Sequence, residues 1–377
     1  MSISILSHAH WIINAILAFV IAIVCSGILI PQILLISFRK KLFDSHDDRK
    51  IHQGVVPRLG GIAFFPVILF TVALLAGINI TFTHEFEGPA LTRFACNSLF
   101  GTCGGLMLYL IGMADDLVGV RYSAKFFVQI LAGCLMVASG LWLNSFDGFL
   151  WIEDLSPWVG MPLSILLFVF ITNAINLIDG IDGLASGLSA IALLFYGIFF
   201  LYLSAYPYAI ISFASLGVVI QFFYYNVFGD VEKHKKIFMG DTGALTLGFI
   251  LCFLALTFFV IRIPEGTKLP NNAILAFSPL LVPCLDVVRV FARRIRKHGN
   301  PFLPDRTHIH HKLLNLGMPK GLTMITILLV SIFFIVLNLI LTPHLNITWI
   351  FIIDLTIWTV ANQLINKRLK DLGRPLQ

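Results

Sequence analysis

Residues 239–262 read MGDTGALTLGFILCFLALTFFVIR. Asp241 stands at the head of this run and Arg262 at its end, and every residue between them is apolar, small or a threonine. About 20 helical residues at 1.5 Å rise cross a hydrocarbon core of about 30 Å, whereas a strand needs only about 10. The run therefore reads as a transmembrane helix with an acid at its rim, and its length argues against a barrel. Similar runs recur along the chain. Of 377 residues, 58% are hydrophobic and 12% charged, with mean hydropathy +0.90, far from the roughly one-quarter charged of soluble domains. Spans are predicted near 11–38, 59–80, 94–113, 124–143, 161–178, 184–203, 208–227, 240–262, 273–292, 321–342 and 347–366. The expected fold is an all-α polytopic membrane protein: a bundle of about 11 transmembrane helices forming a single integral-membrane domain over 1–377.

Lys and Arg set the orientation, because cytoplasmic loops carry their excess while acids count little. One set of connections holds Arg39, Lys40, Lys41, Arg49, Lys50, Arg58, Arg121, Lys125, Lys233, Lys235, Lys236, the Arg293 to Lys320 loop, and Lys367, Arg368, Lys370 and Arg374. The other set holds Arg93, Arg262 and Lys268. The amino terminus is thus expected outside and the carboxyl terminus in the cytoplasm, with Trp142, Trp151, Trp158 and Trp349 in an outer aromatic belt. The net charge of +6 is then a topological signal that suits anionic membrane lipids and phosphorylated substrates, with no need of a nucleic-acid partner. Cys25, Cys96, Cys103, Cys134, Cys252 and Cys284 lie within or beside apolar spans and form no Cys-x-x-Cys pair, so they read as reduced core residues. The first span is too long for a signal h-region and lacks a basic stretch before it, which reads as an uncleaved helix.

This topology brings four polar clusters to one membrane face, together with the His52 stretch, and active-site loops are expected near 39–58, 114–125, 179–183, 228–241 and 293–320. Asp115-Asp116 either ends a helix as a solvated pair or, ionised beside a cation, ligates a metal or deprotonates a phosphate. Lys125 is a snorkelling anchor or a point charge for a phosphate. Asn173, Asn176, Asp179 and Asp182 recur every third residue, so neighbours share a helix face; interhelical hydrogen bonding accounts for one asparagine but poorly for the whole row. Asp241 could complement the helix dipole or, with other oxygen donors, hold a hard cation such as magnesium. His308, His310 and His311 lack a thiolate partner for zinc and fit phosphate or nucleotide contact better. His52 leads through Pro57 and Gly60-Gly61 into the second span on the same face.

In order and spacing, from about His52 to His311, these residues resemble the polyprenyl-phosphate N-acetylhexosamine-1-phosphate transferases. The stretch Pro304 to His311 looks like that of the bacterial undecaprenyl-phosphate GlcNAc-1-phosphate transferases. It departs from the triple-histidine loop of the phospho-MurNAc-pentapeptide transferases, and His52 stands where those enzymes usually carry lysine. The resemblance implies transfer of GlcNAc 1-phosphate from UDP-GlcNAc to undecaprenyl phosphate with release of UMP, for cell-envelope polysaccharide synthesis, at the cytoplasmic face of a bacterial inner membrane. Magnesium, or manganese in its place, would be the cofactor. Matching residue by residue, it implies Asp241, Asn176 and Asp116 as metal ligands, and Asp115, Asp116, Asp179 and His308 as the catalytic group, Asp115 assisting the lipid phosphate. Phe238 matches the aromatic that stacks on uracil and Asp182 the carboxylate near it, with His52, Lys125, Arg294, Arg306, His310 and His311 as further substrate contacts. A homo-oligomer is compatible with this reading. Another UDP-acetamido sugar or UDP-MurNAc-pentapeptide stays open as donor, and a transporter is the alternative of a different class, although its ionisable groups belong near the midplane.

Overall fold

The computed structural model describes residues 2–42, 56–82, 89–261, 272–296 and 307–374. Its helices are α1 (Ser2–Lys40), α2 (Phe64–Phe82), α3 (Pro89–Val118), α4 (Tyr122–Ala138), α5 (Pro157–Ile178), α6 (Leu184–Tyr202), α7 (Tyr206–Phe228), α8 (Gly240–Val260), α9 (Asn272–Phe277), α10 (Leu281–Arg296), α11 (Ile309–Asn315), α12 (Lys320–Leu341) and α13 (Ile347–Asp371). Among the described residues there is no strand, only an isolated bridge between Ser145 and Asp154. Among the described residues, ten segments are long and apolar enough to cross a membrane, and α4 is a shorter apolar helix. Together they account for the predicted spans, and the all-helical membrane fold is as expected.

The quoted run forms the central helix. Every residue of α8 from Thr242 to Phe259 is buried, which explains its apolar character on all sides: it is enclosed by protein, chiefly α3 and α5. Small residues allow this contact. A Cβ on Gly112 of α3 would lie 2.6 Å from Cα of Thr242, and one on Gly248 would lie 2.7 Å from Cα of Thr172 in α5. Around this centre the outer helices expose large apolar side chains such as Ile28, Leu99 and Leu166, as lipid contact requires.

Four departures from the predicted spans position the site. Helix α3 continues to Val118, so Asp115 and Asp116 occupy its last turn rather than the loop after it. Helix α4 stops at Ala138, short of the predicted 143, because Gly140 adopts φ +91° and the Leu143 amide turns to donate to Ser164 Oγ at 2.8 Å. The predicted span at 273–292 breaks into α9, a 3₁₀ turn at Ser278–Leu280 and α10; Pro279 has no N–H to give a continuous ladder. Finally, the histidines precede and open a short helix, α11, that no apolar periodicity announced.

Candidate active site

Asp116 joins α3 to the start of α8. Its carboxylate accepts the Asp241 amide at 2.8 Å, the Thr242 amide at 2.9 Å and the Thr242 hydroxyl at 2.5 Å. The first N–H groups of a helix have no partner within it, so a carboxylate there is a strong cap. Gly240 enters the helix at φ +71°, and a Cβ on it would lie 2.1 Å from the Arg58 carbonyl oxygen and 2.5 Å from the Asp116 carboxylate. Only glycine fits that corner. The chain before α2 closes the other side: Phe238 N–H donates to Pro57, while Gly60 and Gly61 donate to the carbonyls of Phe238 and Met239.

One residue away, Asp115 and Asp241 face each other across Lys125. The ammonium lies 3.1 Å from Asp115 Oδ2 and 2.7 Å from Asp241 Oδ2, and the three side chains are 18%, 25% and 20% exposed, respectively. Asp115 also accepts the Val120 amide at 2.7 Å through its other oxygen. Lys125 thus stands between two carboxylates and offsets their mutual repulsion. It opens, with Asp241 and Asn176, onto a recess of about 560 Å³ between α4, α5 and α10. Leu166, Phe170, Val290 and Phe291 make its wall apolar, while Arg294, His308, His310 and His311 line it from the α10–α11 side. Leu166 and Tyr122 are 62% and 51% exposed, so the recess reaches the bundle periphery. Asn173 and Gln129, which exchange hydrogen bonds with each other, also line the recess.

His308 is held by a residue that the sequence reading passed over. Asp286 of α10, fully buried, accepts His308 Nδ1 at 2.8 Å, the Ile309 amide at 3.1 Å and Arg289 Nη2 at 2.7 Å. With Nδ1 held by Asp286, the ring's other nitrogen is the one available to a ligand. Arg289 also donates to the Thr307 carbonyl at 2.6 Å, pinning the segment that carries the histidine. His310 stacks beside His308 at 5.9 Å and packs so closely on Gly180 that a Cβ there would lie 2.1 Å from its Nε2. Burial and the neighbouring His311 push His310 down to about 3, so it meets any ligand as a neutral imidazole.

The remaining candidates lie around this centre. Asp179 follows α5 where water reaches it, yet its carboxyl is pushed up to about 7, first by desolvation; Arg58 pulls the other way, and the Asp182 and Asp241 charges add to the rise. Asp182 is paired to Lys236 at 2.7 Å. Asn226 ties the two loops together, accepting from Gly183 N–H at 2.7 Å and donating to Ile237 at 2.9 Å. Asp182 and Phe238 do not line the recess; they belong to the polar loops beside it. His52 and Arg306 lie outside the described residues. Lys236, Asn226, Asp286 and Arg289 were missed. Asp286 had a signal, an acid within an apolar run, and Lys236 stood in a stretch read only for topology.

The residues 98–259, from α3 through α8 and so including Asp115, Lys125, Asn176 and Asp241, match the family model described as glycosyl transferase family 4. A protein of Yersinia pestis named undecaprenyl-phosphate alpha-N-acetylglucosaminyl 1-phosphate transferase is 30% identical over 297 residues, 77% of this chain and 74% of its own length. The chain belongs to glycosyl transferase family 4. The probable undecaprenyl-phosphate N-acetylglucosaminyl 1-phosphate transferase of Bacillus subtilis (strain 168) is similar over more of the chain, 29% identical over 372 residues and 95% of each protein. The undecaprenyl-phosphate alpha-N-acetylglucosaminyl 1-phosphate transferase of Escherichia coli (strain K12) is 29% identical over 294 residues, 77% of this chain and 74% of its own. Family membership makes the protein a transferase, and the ten apolar helices among the described residues make it a multi-span membrane protein. The family segment ends at residue 259, before α10 and α11. Asp286 and the histidines are therefore placed by the fold and not by the family match.

The donor set also bears on a metal. Asp241 and Asn176 present hard oxygen atoms to one recess, and magnesium characteristically takes one or two carboxylates together with water and substrate phosphate oxygens. The described residues contain no group of three or more His, Cys, Asp or Glu side chains arranged to hold a metal. An open oxygen site completed by substrate fits these residues; a closed zinc site does not.

Proposed function

We propose that the protein transfers N-acetylglucosamine 1-phosphate from UDP-GlcNAc to undecaprenyl phosphate, giving undecaprenyl-diphospho-GlcNAc and UMP. The observation that carries this reading is the two-sided recess: Lys125 and Asp241, with Asp115 paired to Lys125 beside them, open onto a cavity that has an apolar wall and reaches the periphery. A polyprenyl phosphate needs such a place, with the phosphate in the polar end and the first isoprene units against Leu166, Phe170 and Phe291. The names of the relatives support undecaprenyl phosphate and GlcNAc as the pair.

In the reaction an oxygen of the lipid phosphate attacks the β-phosphorus of the nucleotide sugar. A new P–O bond forms, the bond to the α-phosphate bridging oxygen breaks, and UMP leaves with that oxygen. Phosphoryl transfer depends mainly on positioning and charge neutralisation. Lys125 and Arg294 supply positive charge at the recess, and His308, oriented by Asp286, offers its second nitrogen to a phosphate oxygen. Asp115 beside Lys125 is placed to hold the lipid phosphate's proton. Asp241 and Asn176 would hold magnesium, which when bound neutralises diphosphate charge. The basic loops assign this end of the bundle to the cytoplasm, so that lipid arrives laterally and nucleotide from water at the inner face of a bacterial cytoplasmic membrane.

The test is a product assay. Purified protein with undecaprenyl phosphate and each of UDP-GlcNAc, other UDP-acetamido sugars and UDP-MurNAc-pentapeptide is expected to release UMP and form a lipid diphosphate sugar with UDP-GlcNAc, and to stop on chelation. Turnover with a different donor alone overturns the sugar assignment; no lipid product with any donor overturns the reaction.

A further inference from the structure

The opposite face of α10 borders a second cavity, of about 600 Å³, enclosed with α11 and α13. Val288 and Leu355 give it an apolar side, and Arg289, Arg293, Arg296 and Lys312 a basic one. No Asp or Glu is among the described residues that line it. Two buried donors on its wall have no acceptor among the described residues, Nε of Arg289 and Nε1 of Trp358, the latter in a residue 5% exposed. Lys312 is 4% exposed, and its ammonium, which has three N–H groups, donates to Asn362 at 3.0 Å. Burial, with the Arg289 and Arg293 charges, pushes Lys312 down to about 7, against the opposing pull of Asp286. Asp286 holds Arg289 but does not line the cavity.

Buried cations and donors are costly unless an acceptor or an anion meets them. A wall that carries four basic side chains and no carboxylate, its only acceptors being the neutral side chains of α13 such as Asn362 and Gln363, beside an apolar wall at the rim of a membrane bundle, matches a phosphodiester carrying acyl chains. We propose that this cavity binds the headgroup of an anionic phospholipid, on the face of α10 opposite the Lys125 recess. Arg293, Arg296 and Lys312 meet the phosphate, and Val288 and Leu355 flank the start of the acyl chains. The bound headgroup abuts Arg289, whose guanidinium grips the same Asp286 that orients His308.

Native mass spectrometry of the full-length protein in detergent, titrated with short-chain phosphatidylglycerol, short-chain phosphatidylcholine or inorganic phosphate, tests the site without turnover. Saturable binding of phosphatidylglycerol is expected, with phosphatidylcholine and inorganic phosphate at least tenfold weaker. Arg296→Gln and Lys312→Gln should each weaken it about fivefold, the worth of one basic residue near an anionic lipid surface, while Lys125→Gln leaves it unchanged. Arg296 is exposed at the end of α10, so its replacement leaves the core intact should Lys312→Gln fail to fold. Loss on Lys125→Gln with retention in Arg296→Gln would move the lipid to the other recess and overturn the proposal. Equal binding of phosphatidylcholine, or of inorganic phosphate, would overturn it too.

Discussion

Asp116→Asn separates a structural carboxylate from a metal-binding one. The Asp116 side chain accepts three hydrogen bonds, two from the Asp241 and Thr242 amides and one from the Thr242 hydroxyl. Asparagine keeps one oxygen and places an N–H₂ group where the second oxygen faced a donor. A hydrogen bond to a charged group contributes about 1.5–3 kcal/mol, and loss of a helix cap costs about 1 kcal/mol and up to about 2. One charged bond lost and one donor misplaced therefore cost about 2–4 kcal/mol. The assay is thermal unfolding of the purified protein in chelator, where no metal can contribute. A fall of several degrees relative to wild type is expected, together with reduced turnover, because the start of α8 carries Asp241. An unchanged midpoint in chelator, with a raised magnesium requirement, would refute the reasoning and return Asp116 to the metal.

Gly180→Ala places a Cβ 2.1 Å from His310 Nε2 and should lower the unfolding midpoint and reduce kcat/KM at least tenfold; adding His310→Ala should recover most of the midpoint, and no recovery would show that the two residues are not in contact. For Asp179, pushed up to about 7, the folded state holds the proton more tightly than the unfolded state, so its contribution to stability is least unfavourable below the ordinary carboxyl value and falls as pH rises from about 4 to about 7. Asp179→Asn should then gain on wild type over that window in chelator, and a midpoint difference that is flat or shrinks with pH would contradict the raised value.

The membrane fold was legible because each span must satisfy its backbone internally and present apolar side chains, which leaves a run of fixed length in the sequence. Span ends were less legible. Nothing in the predicted 124–143 announced that Gly140 would take a left-handed conformation, or that Ser164 would draw the following loop inward. Lys125, Asn176, Asp241 and the histidines were found because polar groups at a bundle rim are costly and so conspicuous. Asp286 was equally costly, and Arg289 one helical turn along could have been read as its partner, but His308 stands on a different element and meets Asp286 only when the chain folds. Asp116 was visible as an acid, yet its task depends on α3 running through to Val118 and meeting α8.

Asp116 and Asp286 share one construction. Each is a carboxylate whose oxygens are engaged at the start of another helix, Asp116 on the amides of Asp241 and Thr242, Asp286 on Ile309 N–H and the His308 ring. In both cases a group beside the cap, Asp241 in one and His308 in the other, faces the recess. A carboxylate gripping helix-start donors fixes its neighbour far better than a solvated loop could. The consequence is chemical as well as structural. With the Asp116 and Asp286 charges met by backbone amides, Arg289 and the imidazole, and Asp115 held by Lys125 and the Val120 amide, Asp241 is the one carboxylate among the described residues that line the recess, beside Lys125 and Arg294. That balance favours two incoming phosphates, where a wall of four free carboxylates would repel them.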